Sequence, residues 1–339
     1  FRSQVVALTT AQAVALTSVQ TAGINTTQAP TIENADLSSL TTDGFVALTQ
    51  DAVAVLMSTQ VSQLNTAEVK ALTTAQAVSL QAQQLQGITT SQTAAIESTD
   101  LAKMTTSALV AMAPGVMATL NSTQFGALTT DQVKALTTSQ AVALTSTQAV
   151  GITTVQTGAL QTGALAKLTT AAFEAIDTAV VAGLSNGQVG ALLSTQITAL
   201  TTAQAAALTA TQAGGITTVQ TAALESGDLN KLSTAAFAAL NTSVVAGMSS
   251  TQVGALTTDQ VAALTTAQAA ALTTTQTVGL SSTQTTAIES QDLAALTTTA
   301  IGGLTSSTFR ALTTTALTNI STNQMASLKG EQITALTTD

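Results

Sequence analysis

The sequence predicts an all-α solenoid of short two-turn helices, one for each eight-residue repeat. Three observations predict it: a strict period of eight, helix-start signals at fixed places within that period, and a 64-residue period laid over it. Leu, Ile or Met stands at every multiple of eight from Leu8 to Leu336, with no inserted residue. An array this regular is typical of a solenoid or fibre rather than of a globular domain.

We letter the repeat, or octad, a to h, with the aliphatic residue at a. In the octad that begins at Leu256, position b is Thr257, e is Gln260 and f is Val261. Positions a and f are the predicted core. Five of the six phenylalanines stand at f: Phe45, Phe125, Phe173, Phe237 and Phe309.

Each octad carries a complete helix start. Thr or Ser at b is an N-cap, and Gln, Asp or Glu three residues later at e completes a capping box. The apolar residues at a and f are spaced as a hydrophobic staple. Pro114 falls at c, the first helical position, where proline is favoured, whereas Pro30 at g predicts an irregular first block.

A continuous helix is excluded by the period itself. Eight residues at about 100° each advance position a by roughly 80° per octad, so the leucines would spiral around all sides. The chain must therefore bend at each Thr-Thr pair. Helices of about 10–12 Å are too short to be stable alone, so their stability must come from stacking between octads.

The alternative fold is a β-solenoid, which the Thr and Val content favours. Alternation along a strand would turn Gln at e inward and Val at f outward, and the Ala, Gln and Leu content favours helix. Most octads also lack the Gly-rich turn signals of hairpins.

A 64-residue super-repeat contains eight octads. "ITTSQTAAIESTDLAKMTT" from Ile88 matches "ITTVQTGALQTGALAKLTT" from Ile152 and a third copy from Ile216. We expect one continuous solenoid domain over residues 1–339 and a chain that is a processed product or a piece of a longer array. Its blocks are 24–87, 88–151, 152–215, 216–279 and the incomplete 280–339, and glycines close the first four and the segment before them: Gly23, Gly87, Gly151, Gly215 and Gly279.

The composition excludes most chemistry. The chain has no His, Cys, Trp or Tyr, which removes imidazole and thiolate nucleophiles and metal ligands. The net charge is −9 without a basic run, so nucleic-acid binding is not expected. Thr or Ser interrupts every apolar stretch, so no membrane span is expected. The sequence predicts no enzyme, no cofactor, and no catalytic, cofactor-binding or metal-binding residue.

One acidic pattern recurs, with Glu and Asp three residues apart in four blocks. An acidic N-cap followed by an acidic third helical residue explains it, because the helix dipole favours acids there. The other interpretation is a calcium ligand cluster or an inter-subunit contact. The pairs are Glu33/Asp36, Glu97/Asp100, Glu225/Asp228 and Glu289/Asp292.

Two resemblances follow from these residues. "LTTDQVAAL" resembles the opening of a TAL-effector repeat, L-T-P-x-Q-V-V-A-I-A, which implies a helix start behind a Thr cap but not DNA recognition, because the second helix and the base-reading loop are absent. The whole chain resembles the Ala/Thr/Gln-rich octapeptide repeats, LTTxQVxA, of long bacterial exported fibre proteins and adhesins. That resemblance implies an extracellular or cell-surface structural protein.

The functional prediction is a self-assembling extracellular filament or surface-fibre protein that serves as a scaffold, sheath or stalk. The expected partner is the chain itself, in a homo-oligomeric filament, and the cell surface or glycans are further candidates. The alternative is a surface-binding adhesin or an ice-binding repeat protein, because regular Thr arrays on solenoids can bind ice.

Overall fold

The computed structural model describes residues 2–336, with side chains from residue 4, and in that range every regular element is a short helix. Residues 2–336 contain no β-strand, so the β-solenoid alternative is wrong and the helical solenoid is confirmed. The chain forms two compact units, one that ends at Ile176 and one that begins at Asp177. The extent of the domain, one solenoid over the whole chain, stays a prediction.

Both units are built from α-helices of four to six residues and a few 3₁₀ turns. The first unit contains α-helices at Arg2–Val6, Thr10–Val14, Ser18–Thr21, Asn34–Leu37, Thr42–Val46, Gln50–Ala54, Ser58–Val61, Thr66–Lys70, Thr74–Ser79, Ala82–Leu85, Thr90–Ala95, Ser98–Leu101, Thr106–Val110, Pro114–Met117, Ser122–Gly126, Thr130–Lys134, Thr138–Ala143, Ser146–Ala149, Thr162–Leu165 and Thr170–Glu174, with 3₁₀ turns at Ala29–Thr31 and Thr157–Ala159. The second contains α-helices at Thr178–Ala182, Asn186–Gly190, Ser194–Thr198, Thr202–Ala207, Ala210–Ala213, Ser226–Leu229, Thr234–Ala238, Thr242–Ala246, Ser250–Gly254, Thr258–Ala262, Thr266–Ala271, Thr274–Thr277, Ser282–Thr286, Ser290–Ala295, Thr298–Ile301, Ser306–Arg310, Thr314–Leu317, Thr322–Ala326 and Gly330–Thr334, with a 3₁₀ turn at Thr221–Ala223.

The helix of one octad runs from c to g and is shorter than the two turns expected. In the octad of Leu256, Thr257 is the N-cap in extended conformation (φ −73°, ψ 159°) and the helix is Thr258–Ala262. The Thr257 Oγ1 accepts a hydrogen bond from the Gln260 N–H at 3.1 Å, and the Gln260 Oε1 accepts one from the Thr257 N–H at 3.0 Å. The predicted capping box is therefore formed. No residue between 2 and 336 has a positive φ, so the bends use extended backbone and require no glycine.

The core contains positions a and f, as predicted, and also position e. Every a residue from Ile24 to Leu312 and every f residue from Ala13 to Phe309 is buried, and the five f phenylalanines are fully enclosed. Gln at e is buried as well from Gln60 onward; Gln260 is 1% exposed. An inward-facing Gln at position e therefore does not distinguish a β-solenoid from this helical fold.

Each helix packs mainly on the helix three octads away. In the first unit Gln50–Ala54 packs on Thr74–Ser79, and in the second Thr266–Ala271 packs on Ser290–Ala295. Within a unit the chain therefore winds into a superhelix, here called the coil, in which one turn takes three to four octads. Each turn of the coil packs on the apolar side of the turn before it.

The two prolines agree with their local structure. Pro114 begins the helix Pro114–Met117, as predicted. Pro30 lies in the 3₁₀ turn Ala29–Thr31, so the expected irregularity is confirmed. The equivalent octads have 3₁₀ turns at Thr157–Ala159 and Thr221–Ala223 without a proline, so Pro30 is compatible with this turn and is not its sole cause.

Candidate functional site

Buried glutamines at position e join consecutive turns of the coil through hydrogen bonds. We call this series the glutamine ladder and each position in it a rung. The Gln260 Nε2 donates to the carbonyl oxygens of Leu229 at 2.7 Å and Leu232 at 2.8 Å, which lie 31 and 28 residues earlier. The Leu229 oxygen also accepts a hydrogen bond from the Leu232 N–H. The Leu232 oxygen accepts none from the backbone, so Gln260 is its donor. Each glutamine therefore caps its own helix with its oxygen and binds the preceding turn with its nitrogen.

The same pair of bonds recurs along both units. A donor 31 and 28 residues after its acceptors is seen at Gln60, Gln76, Gln84, Gln92, Gln124, Gln132, Gln140, Gln148, Gln156, Gln212, Gln220, Gln252, Gln260, Gln268, Gln276, Gln284, Gln324 and Gln332. Sequence reasoning assigned these residues to capping alone. Their second role was missed because it depends on the pitch of the coil.

The block-closing glycines lie where two turns touch through their backbones. A Cβ on Gly151, Gly215 or Gly279 would lie within 3.0 Å of the backbone of the residue 29 positions earlier. The facing residue 25 positions earlier is also glycine, and a Cβ on Gly254 would lie 2.7 Å from the Gly279 oxygen. These glycines are therefore required by close approach.

The acidic pairs take the predicted places but not the predicted bonds. Glu33, Glu97, Glu225 and Glu289 are N-caps, yet none of the four side chains accepts a cap hydrogen bond. The paired aspartates are buried instead. The Asp36 and Asp100 carboxylates accept hydrogen bonds from the hydroxyls of Thr10 at 3.0 Å and Thr74 at 2.9 Å, each 26 residues earlier.

Burial affects the protonation of Asp100, Asp228 and Asp292. It raises the pKa of Asp100; the Thr74 hydroxyl opposes this effect and the Glu97 carboxylate adds to it. Burial, with a smaller contribution from Glu225, raises the pKa of Asp228. Burial likewise raises the pKa of Asp292. These carboxyls act inside the turns rather than as an exposed cation site.

No three acidic side chains within residues 4–336 come close enough to hold a metal ion together. The calcium interpretation therefore finds no ligand cluster there. Lys103, Lys167 and Lys231, which recur at 64-residue spacing, are exposed to solvent.

Three shallow grooves lie beside the exposed acids of three blocks. They have volumes of about 510, 600 and 690 Å³ and are lined in part by Glu97, Glu225 and Glu289. In the first groove Asn121, Thr123 and Lys70 add polar groups. The grooves are open to solvent, and no His or Cys lines them, since the chain has neither residue.

Glu68 is the one glutamate at position e, and sequence reasoning passed over it. The octads on either side have Gln60 and Gln76 at that position. Glu68 is 1% exposed. The signal that could have found it was a glutamate at a position where both neighbouring octads have glutamine.

A family model described as the ALTTAQ repeat matches residues 221–258 and 237–266. The matched stretch lies in the second unit and spans the octads of Leu224 to Leu264, where Gln252 and Gln260 form rungs of the ladder. The hexapeptide ALTTAQ itself begins at Ala7, Ala71, Ala199 and Ala263. The comparison supports a tandem-repeat protein.

No curated protein sequence matches the chain. Among the described residues no helix is long and apolar enough to cross a membrane, as the sequence predicted.

Proposed function

We propose that this protein is a structural, self-assembling component of an extracellular filament or surface fibre, a scaffold, sheath or stalk without enzymatic activity. The observation that carries the proposal is the nearly uncharged outer surface of a regular repeat array. Positions b to d, which are mostly exposed, hold chiefly Thr, Ser and Ala, and charged residues make up 7% of the chain. A typical soluble surface is about 25–35% charged, so charge repulsion protects this surface little against association.

Exposed valines on this surface support lateral association. Val155 and Val219 stand at the same position d of two blocks and are 77% and 79% exposed. Each lies in the octad that contains a 3₁₀ turn. A repeated apolar side chain on a neutral surface favours contact with a second copy of the same array.

Paired substitutions test the assembly. We expect Val155→Lys with Val219→Lys to reduce the sedimenting fraction and shorten the fibres seen by negative-stain microscopy. The matched control is Ser139→Lys with Ala203→Lys, which adds the same charge at exposed d positions two octads earlier in each unit. Equal loss in both pairs would contradict the role of the valines, and a wild-type chain that stays monomeric at high concentration would overturn the filament proposal.

The second candidate is a surface-binding adhesin or ice-binding repeat protein. The three grooves favour it, because they recur at equivalent places of the 64-residue block and offer the same Glu-Ser pair to a periodic ligand. A glycan array and an ice-recrystallisation assay on the monomeric chain test this function. Binding that persists when assembly is abolished would favour it over the filament.

A further inference from the structure

Glu68 occupies a rung of the glutamine ladder, but its carboxylate has no N–H to donate where a glutamine has Nε2. Its Oε2 accepts the Asn65 N–H at 2.8 Å, and the Asn65 Oδ1 accepts the Glu68 N–H at 2.9 Å. This is the capping arrangement of Gln76, whose Oε1 accepts the Thr73 N–H and whose N–H donates to the Thr73 Oγ1. The other oxygen, Oε1, is buried and has no hydrogen-bond partner.

The position of Oε1 corresponds to that of the glutamine Nε2. Gln60 uses this nitrogen to donate to Ala29 and Ile32, and Gln76 uses it to donate to Leu48. Counting back 31 and 28 residues from Glu68 gives the carbonyl oxygens of Leu37 and Leu40. A carboxylate cannot donate to a carbonyl, whereas a protonated carboxylic acid can.

The surroundings offer Glu68 no compensating positive charge. Lys70, the cation of the same helix, is exposed. Two helices pack on Thr66–Lys70: Thr42–Val46 carries Asp43, and Thr90–Ala95 has no titratable group. Asp36 is the chain neighbour of Leu37. Burial raises the pKa of Glu68 from 4.5 to about 7, although the hydrogen bond from Asn65 opposes the shift.

We propose that Glu68 is a pH-sensitive rung, which when protonated donates a hydrogen bond to the carbonyl oxygen of Leu37 or Leu40. Loss of the proton leaves three acceptors facing one another in a buried site. The packing of the helix Thr66–Lys70 on the helix Thr42–Val46 of the preceding turn then weakens. The inference concerns the stability of the coil and is independent of whether the chain forms fibres.

The direction of the pH effect follows from proton linkage. The folded chain holds the Glu68 proton up to about pH 7, whereas the unfolded chain loses it near 4.5. The stability contributed by this site is therefore greatest below the unfolded pKa, is lost as the pH rises through the folded pKa, and is constant above it.

Hydrogen exchange of the full chain tests the proposal, with peptides that cover residues 34–42 and 58–72. Between about pH 5.5 and about pH 8.5, linkage at one site with these pKa values lowers the local closing constant by about thirtyfold, after correction for intrinsic exchange rates. We expect Glu68→Gln to remove this drop. Glu33→Gln, which removes an exposed acid in the same unit, should keep it.

The converse variant tests whether the pH dependence comes from an acid at position e rather than from the introduced glutamine. Gln76→Glu should create a new pH-dependent loss of protection in the helix Thr74–Ser79, because it places an acceptor opposite Leu48. The proposal is overturned if Glu68→Gln retains the wild-type pH dependence, or if it is less protected than wild type at about pH 8.5.

Discussion

At the scale of single residues, the glutamine at e makes two kinds of hydrogen bond with the oxygen and the nitrogen of one amide. The oxygen caps the helix that contains it, and this half persists where the cap is not Thr; the Met57 N–H donates to the Gln60 Oε1 at 2.8 Å. The nitrogen satisfies carbonyl oxygens at the bend of the preceding turn. An amide suits this position because it presents an acceptor and a donor at once.

Removing one rung should destabilise the coil locally. Gln260→Leu deletes both donors to Leu229 and Leu232 and leaves the Leu232 carbonyl buried without its partner. We expect a loss of about 2–3 kcal/mol in the stability of the second unit, measured by urea denaturation.

The control is Gln291→Leu, which replaces an exposed glutamine of the same unit and should change stability by less than about 0.5 kcal/mol. An equal loss of stability in the two variants would contradict the role of the Gln260 hydrogen bonds, because any Gln-to-Leu substitution would then have the same effect.

At the scale of helices and turns, stability depends on how closely consecutive turns approach. The block-closing glycines allow backbone contact between turns, since their positions leave no room for a Cβ. All described φ values are negative, so the conformational freedom of glycine is not what selects it at these places.

We therefore expect Gly279→Ala to destabilise the second unit by about 1–3 kcal/mol, because the methyl group meets the backbone of Ser250. Gly227→Ala is the matched control, because a Cβ there meets nothing within 4 Å. It should be neutral or stabilise the helix Ser226–Leu229 by up to about 1 kcal/mol. Thermal denaturation of the two variants measures the difference.

The sequence was sufficient for the features that lie within one octad. The cap at Thr257, the capping-box partner Gln260 and the apolar pair at a and f were all predictable, because their signals lie within about six residues. The Nε2 bonds of Gln260, the contact of Gly279 with Ser250 and the bond of Thr74 to Asp100 join residues 26 to 31 positions apart. They depend on the number of octads in a turn, which no single octad specifies.

At the scale of the whole molecule, assembly should depend little on ionic strength. Only 8 basic and 17 acidic residues are spread over 339 positions, and the proposed contact surface is neutral. We expect fibre formation, followed by light scattering, to change little between about 50 mM and 500 mM salt, because there are few ion pairs to screen. Dissolution at high salt would show instead that charged groups hold the copies together.

The fixed distance between turns also limits how such an array can grow. A duplication of one octad keeps a, e and f in frame, so the glutamine rungs can form again. It would, however, place a block-closing glycine opposite other residues: with eight residues inserted between Lys134 and Gly151, the glycine would face Lys134 in place of Gly126. Duplication of 64 residues preserves both relationships. We therefore expect the gene to gain and lose length most readily in units of eight octads.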